Sequence, residues 1–432
     1  MKSYLNHIRK NILVKIGSFN AVAVVVRLIV GLLNAKIIAI FLGAEGMALM
    51  GNLRNFLSSV QSASTLGLYN GVVKYVAESR YKREELSKVL TTIFILTLST
   101  TLILSGVLFF GASFWNNLIF DESQDYIVTF KILAILLPVY ALNTLLIATI
   151  NGYLKYKIYL VINIIASILG FLLTLCLVVN YNLDGAFLAL ILNPFASFLL
   201  TLYVVVKKRN LIQMIRINEF SFPFIKKLAG YSYMTLLSTI LIPFVMIEIR
   251  NYIIDTDGIN NAGYYEAMLR ISGQYMAFLS TLLTLYLLPK LSVTTSAEGF
   301  RKEVFGFYKT IIPLYVLGFL FIYLLRYQIV SALFSKEFLQ MIPLFKWFLV
   351  GDFLKILAMV LAVQFLAKRM VWFYTITELF SIFSLYLLTR YFVSEQGFVG
   401  ASIAHFCNYA LYLLLIIILL RKAVFGSSSD RV

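Results

Sequence analysis

Residues 51–72 read "GNLRNFLSSVQSASTLGLYNGV", and Arg54 is the one charged residue in them. With "MALM" (47–50) in front, the run is long enough for a helix to cross the hydrocarbon of a bilayer, which takes about 20 residues. A guanidinium placed in such a helix is costly, so it marks a position that does something or is paired with something. Whether this stretch crosses a membrane decides the fold.

Composition answers that question. Of 432 residues, 61% are apolar and 13% charged, and the mean hydropathy is +0.88. A soluble chain of this length could not hide so much apolar surface, so the expected class is an all-α polytopic membrane protein. Apolar stretches of spanning length occur twelve times: 12–42, 47–72, 89–111, 127–150, 158–180, 184–206, 228–253, 262–288, 304–326, 342–366, 371–392 and 397–420. The first follows the basic "MKSYLNHIRKNILVK" but runs to about Gly43 with no small-residue cleavage site, which predicts a retained helix and not a signal peptide. The two cysteines, Cys176 and Cys407, lie inside apolar stretches and read as small buried hydrophobes with no disulfide framework.

Lysine and arginine in the connections orient the chain. With the N-terminus inside, the segments 1–15, 73–88, 151–158, 207–227, 289–304, 367–370 and 421–432 are cytoplasmic and hold 25 bases. The segments on the other side hold one, Lys336. Both termini are therefore expected in the cytoplasm. The net charge of +17 is accounted for by this asymmetry and by contact with anionic lipids, and no nucleic-acid partner is called for. The connections are short, so no soluble catalytic domain is expected. The longest, 207–227 at the midpoint, reads as an amphipathic connector along the membrane surface.

The chain also repeats. Shifted by 215 or 216 residues, Leu53-Arg54 falls on Leu269-Arg270, Lys74 on Lys290, and Phe130-Lys131 on Phe345-Lys346. Gly185-Ala186 with Ala189 and Asn193 falls on Gly400-Ala401 with Ala404 and Asn408. Small-residue matches are common in membrane helices, but these share one offset near half the chain length. The expected organisation is two six-helix lobes, 1–217 and 218–432, related by a pseudo-two-fold axis along the membrane normal.

Away from the ends of the expected spans, nine bases stand against four acids. The bases are Arg27, Lys36, Arg54, Lys131, Arg250, Arg270, Lys309, Lys346 and Lys355; the acids are Glu248, Glu266, Asp352 and Glu378, all in the second half. The first half has bases and no acid, which predicts a cationic lumen waiting for a mobile anion. Arg27, Arg54, Arg270, Lys36 and Arg250 are the candidate anion-binding residues. Snorkelling to the interface is the competing account for Lys36, Lys131, Arg250, Lys309 and Lys346, which lie near span ends. Glu266 with Arg270 (i,i+4) and Asp352 with Lys355 (i,i+3) can neutralise each other on one helix face. Glu266, Asp352, Lys355 and Glu378 are the candidates for coupling or gating. Glu378 takes the repeat position of Asn163, which suggests a polar slot, and His405 reads as a hydrogen-bonded packing residue.

Enzymatic signals are weak. "DTD" (255–257) reads as a polar turn; there is no phosphate-binding G-x-x-x-x-G-K-[ST] loop and no Cys/His pattern with metal-ligand spacing, so no cofactor or metal is expected.

At this point the residues themselves suggest a family. "LGAEGMALMGNLRNFLSSV" with "NGVVKYVAE", then "LYLLPKLS" (285–292), then "LVGDFLKI" with "AKRMVWFYTITELFSIF", resemble the Wzx-type O-antigen flippases, closest to the branch that moves enterobacterial common antigen. These belong to the multidrug/oligosaccharidyl-lipid/polysaccharide exporter superfamily. The resemblance runs over essentially the whole chain. It implies a non-enzymatic carrier in the bacterial inner membrane, working by alternating access. The implied substrate is an undecaprenyl-diphosphate-linked oligosaccharide repeat unit, moved from the cytoplasmic to the periplasmic leaflet. The implied partners are membrane lipids and other proteins of surface-polysaccharide assembly. A diphosphate suits arginine, whose planar fork binds such oxygens two at a time. The competing functions are an organic-cation extruder of the same fold, which calls for an acidic lumen, and a membrane enzyme of lipid-linked glycan assembly, which calls for a long outer loop.

Overall fold

The computed structural model describes residues 12–120, 125–207 and 216–426. Among them the regular elements are helical. In chain order they are α1 (Ile12–Ser64), α2 (Tyr69–Ser79), α3 (Arg83–Phe110), α4 (Ala112–Ile119), α5 (Ile127–Gly152), α6 (Tyr156–Lys207), α7 (Phe222–Asp257) and α8 (Ile259–Leu282). Then come α9 (Leu288–Val293), α10 (Ala297–Leu324), α11 (Arg326–Leu333), α12 (Leu344–Ala367), α13 (Val371–Gln396), α14 (Phe398–Leu419) and α15 (Arg421–Phe425). Ten helical stretches among the described residues are long and apolar enough to cross a membrane, so the chain is a multi-span membrane protein. Helix is the form such sequences must take in lipid, because it satisfies every backbone N–H and C=O internally.

Two of these helices are far too long for one crossing, and each contains a residue with non-helical backbone. In α1 it is Gly43 (φ 65°, ψ −163°), in α6 Asn182 (φ 48°, ψ −126°). The Gly43 conformation is open to glycine and closed in practice to side chains with a Cβ. Positive φ also follows a pattern along the chain. Gly43, Leu154 and Asn182 have it, and so do Gly258, Arg369 and Gly397, each 215 residues later.

The chain forms two compact units. The first takes Met1–Phe41 and Asn52–Phe244; the second takes Leu42–Gly51 and Val245–Val432. In the first, buried Phe56 sits among the rings of Trp115, Phe130 and Phe244, at 5.3, 5.3 and 6.3 Å. Leu68, Val72 and Val76 pack with Leu86, Val89 and Ile93 of α3 and Leu145 of α5. In lipid, such packing and not water exclusion holds helices together, so the fit of side chains matters most. Of the connector expected at 207–227, residues 208–215 lie outside the described ones. Of the rest, Ile217–Glu219 form a short turn and 222–227 begin α7; the backbone N–H groups of Arg216 and Ser221 donate to the hydroxyls of Thr91 (2.9 Å) and Thr92 (3.0 Å).

The expected span 47–72 is not one helix. Helix stops at Ser64 and restarts at Tyr69; Leu66 (φ 52°) and Gly67 (φ 61°) turn the chain, and the Gly67 N–H closes the turn on the Ser62 carbonyl at 3.0 Å. In the second half a π-turn, Leu283–Leu287, links α8 to α9. Two expected connections hold more structure than loops: α4 and α11, eight residues each, lie where 112–126 and 327–341 were expected to connect spans.

In the second unit, α12 packs closely on α14 because Gly351 has no side chain: a Cβ there would lie 2.6 Å from His405 and 3.0 Å from the Phe406 backbone. Two helix N-termini in this unit are capped by distant acids. The Ala44 N–H donates to Glu337 at 3.1 Å, and the Phe398 N–H donates to Asp257 at 2.5 Å. A carboxylate there satisfies an orphan donor and meets the positive end of the helix dipole. The last residue of "DTD" is thus a helix cap, in keeping with the polar-turn reading.

Candidate functional site

The opening stretch divides its faces cleanly. In α1, Asn52, Leu53, Phe56 and Leu57 are buried, while Arg54 and Asn55 are partly open and Ser58 is exposed. The Asn52 amide donates to the Ile119 carbonyl at 2.9 Å, which fixes the helix against α4. Arg27 and Lys36, earlier on α1, are both exposed. Arg27 lies within electrostatic reach of the Tyr69 hydroxyl, which bonds to the Asn151 amide at 3.4 Å. Lys131, Lys309 and Lys346, the other bases near span ends, are exposed as well.

The second unit handles its arginines differently. Arg250, placed near a span end by the sequence, is 0% exposed. Its Nη2 lies 2.5 Å from one oxygen of Glu266, and the other oxygen lies 3.4 Å from Nε of Arg270. Glu266 therefore serves two arginines, not only its i,i+4 neighbour. Snorkelling does not describe Arg250, whose guanidinium is held inside the protein. Gly51, at the head of the opening stretch, makes room for this trio: a Cβ there would come within 2.7 Å of the Glu266 carboxyl and 2.9 Å of the Arg250 guanidinium.

Asp352 and Lys355 do not close on each other as their spacing suggested. Asp352, wholly buried, accepts from Ser272 (2.6 Å) and from the Tyr275 hydroxyl through one oxygen, and its other oxygen lies 2.9 Å from His405 Nε2. His405 is stacked on Phe348, with ring centroids 4.2 Å apart. The Lys355 ammonium instead lies over the Tyr409 ring at 4.9 Å. Glu378 accepts from the Tyr412 hydroxyl at 3.4 Å. The structure thus gathers Arg250, Glu266 and Arg270 in one group and Asp352 and His405 in another, and it leaves Lys355 and Glu378 with tyrosine partners.

Apart from Asn163, whose repeat position suggested a polar slot, and Asn193, matched to Asn408, a set of uncharged polar residues escaped the charge-centred reading. Gln61, Asn143, Asn163, Asn193 and Ser197, all of the first unit, line a single cavity of about 280 Å³. The available signal was the recurrence of amide side chains inside otherwise apolar helices, which is costly without a reason.

A family model described as "Polysaccharide biosynthesis protein" matches residues 37–343. The chain belongs to that family. It is 26% identical over 407 residues to the lipid III flippase of Escherichia coli (strain K12), spanning 93% of this chain and 97% of that one. Among solved structures, the chain shares its fold with an inward-facing multidrug resistance MATE family transporter of the MOP superfamily, with TM-score 0.68, 17% identity, and 93% and 98% of the two chains covered. The lipid II flippase MurJ in an inward closed conformation matches with TM-score 0.67 at 14% identity, over 94% of this chain and 87% of that one. At such identities these two structures speak for the fold alone.

Proposed function

We propose that this protein is a flippase for a polyprenyl-diphosphate-linked oligosaccharide repeat unit. It carries the unit from the cytoplasmic to the periplasmic leaflet of the bacterial inner membrane, for O-antigen or a related surface polysaccharide. The observation that carries this reading is the full-length relationship to a lipid III flippase, 93% of one chain on 97% of the other, within a polysaccharide-biosynthesis family. The excess of bases in the first-half spans agrees with it, since a migrating diphosphate is an anion.

Twelve spans in two six-helix lobes, 1–217 and 218–432, are part of the same proposal. Support comes from the breaks at Gly43 and Asn182, which cut two over-long helices into crossing lengths, and from positive-φ positions that recur 215 residues apart. Alternating access is then a rocking of the lobes about the pseudo-two-fold axis, and both termini are cytoplasmic. In this mechanism Arg27 and Arg54 hold the diphosphate, with Arg270 as their counterpart and Lys36 adding to the field. Arg250 and Glu266 fix Arg270 in place; the burial of Arg250 suits support better than direct contact. Affinity has to stay modest, because a carrier that binds too tightly never releases.

The test is complementation. Expressed in a bacterium deprived of its own lipid III flippase, the chain is expected to restore the surface glycan and clear the stranded lipid-linked precursor. Precursor that stays in the inner leaflet, with the protein present in the membrane at the native level, contradicts the proposal.

A further inference from the structure

The cavity in the first unit has no part in the charge-based account. It measures about 280 Å³, close to the lower end of the range for small-molecule pockets, about 300–1,000 Å³. It lies among α1, α5 and α6, and every side chain lining it is uncharged. Asn143 is 7% exposed; its amide nitrogen donates to Ser197 at 3.2 Å, and its Oδ1 has no hydrogen-bond partner in the protein. Turning the amide over only moves the vacancy to the nitrogen. A buried amide oxygen with no partner costs free energy, and here it belongs to a residue of the cavity wall.

The internal repeat supplies a control. The offset of 215 that relates the positive-φ residues takes Tyr140 to Lys355, Asn163 to Glu378, Asn193 to Asn408, Pro194 to Tyr409 and Ser197 to Tyr412. In the second unit these residues satisfy one another. Lys355 sits over Tyr409, Tyr412 bonds Glu378, and Asn408 bonds Ser384 (2.5 Å) and Ser381 (3.2 Å). Two tyrosines and a lysine thus occupy positions that hold proline, serine and tyrosine in the first unit. The second-unit copy carries charges whose side chains pair with tyrosines; the first-unit copy is neutral and lines the cavity.

What would fit follows from the lining. An anion would find no opposite charge, and desolvating it would go uncompensated. An apolar group would strand the amides. A compact neutral molecule carrying both donors and acceptors satisfies them, as ring hydroxyls and an acetamido group do. Resting on the flippase reading above, we infer that this cavity is a glycan subsite that receives one uncharged sugar residue of the carried oligosaccharide. Sites built to bond a substrate hydroxyl discriminate strongly against ligands that lack it, so the subsite also contributes to the choice of cargo.

The test uses the full chain in lipid nanodiscs with N-acetylglucosamine as the probe, read by saturation-transfer NMR. The wild type is expected to transfer saturation to the sugar. Ser197→Tyr, which copies the second half, is expected to cut the signal by about tenfold or more. Asn143→Leu is expected to do the same while the thermal midpoint holds or rises, because it removes an unsatisfied group; a purely structural amide would lower the midpoint. No transfer in the wild type, or equal transfer in folded Ser197→Tyr and Asn143→Leu, overturns the subsite. Flipping of lipid-linked oligosaccharide by the wild type is measured separately in vesicles, and its failure would strike the flippase reading and not the sugar site.

Discussion

Arg54 and Arg250 are both arginines in apolar helices, and the protein treats them in opposite ways. Arg250 is sealed against Glu266, whereas Arg54 sits on a partly open face beside exposed Ser58. In the proposed mechanism Arg250 supports the site and Arg54 meets the substrate. Arg54→Ala is therefore expected to lower the initial rate of flipping at least tenfold at matched protein level, and Arg54→Lys to recover only part of it, since lysine keeps the charge and loses the bidentate fork. Full activity in Arg54→Lys would mean that charge alone suffices. Glu266→Gln belongs to the other class. It leaves two arginines short of their carboxylate in a buried setting, where breaking a pair costs about 3–5 kcal/mol. A fall in thermal midpoint in detergent is expected, with partial recovery when Arg250→Met is added; an unchanged midpoint would show that the trio does not hold the unit together. Sequence spacing showed the Glu266–Arg270 pair because it is local, one helical turn. Arg250 was missed as the second partner because its contact crosses between α7 and α8, and no periodicity within one helix reports that.

At the scale of elements, the helical, multi-span character was legible because lipid imposes one rule on every crossing segment: continuous apolar helix of sufficient length. Interruptions inside a span were not legible. The turn at 65–68 costs no charge and uses a single glycine, so hydropathy passes straight over it, as it does over the π-turn Leu283–Leu287. The amide-lined cavity was hidden for the same reason, since asparagine and serine barely dent a hydropathy average. Where geometry demands a particular residue, substitution should register. Gly397 begins α14 at φ 61°, and a Cβ there would lie 2.8 Å from the Asp257 carboxylate that caps the helix. Gly397→Ala is expected to lower stability by about 1–3 kcal/mol, the usual cost of a forced backbone conformation. Denaturation of the purified protein measures it; a neutral result would mean that this turn relaxes freely.

For the whole molecule, the charge asymmetry makes a topological commitment. Single cysteines at Lys74, Lys155, Lys290 and Lys368 are expected to resist a membrane-impermeant thiol reagent applied from outside, and to react once the membrane is opened. Outside labelling at two or more of them would remove the twelve-span arrangement. The central claim is what crosses the membrane, and proteoliposomes test it most directly. The purified chain is reconstituted with a polyprenyl-diphosphate oligosaccharide in one leaflet, and the glycan appearing in the other leaflet is followed over time, beside a parallel assay of an amphipathic organic cation. The account predicts time-dependent transfer of the glycan lipid, abolished by the Arg27→Ala, Arg54→Ala double substitution, and no transport of the cation. Transport of the cation with a motionless glycan lipid would contradict it.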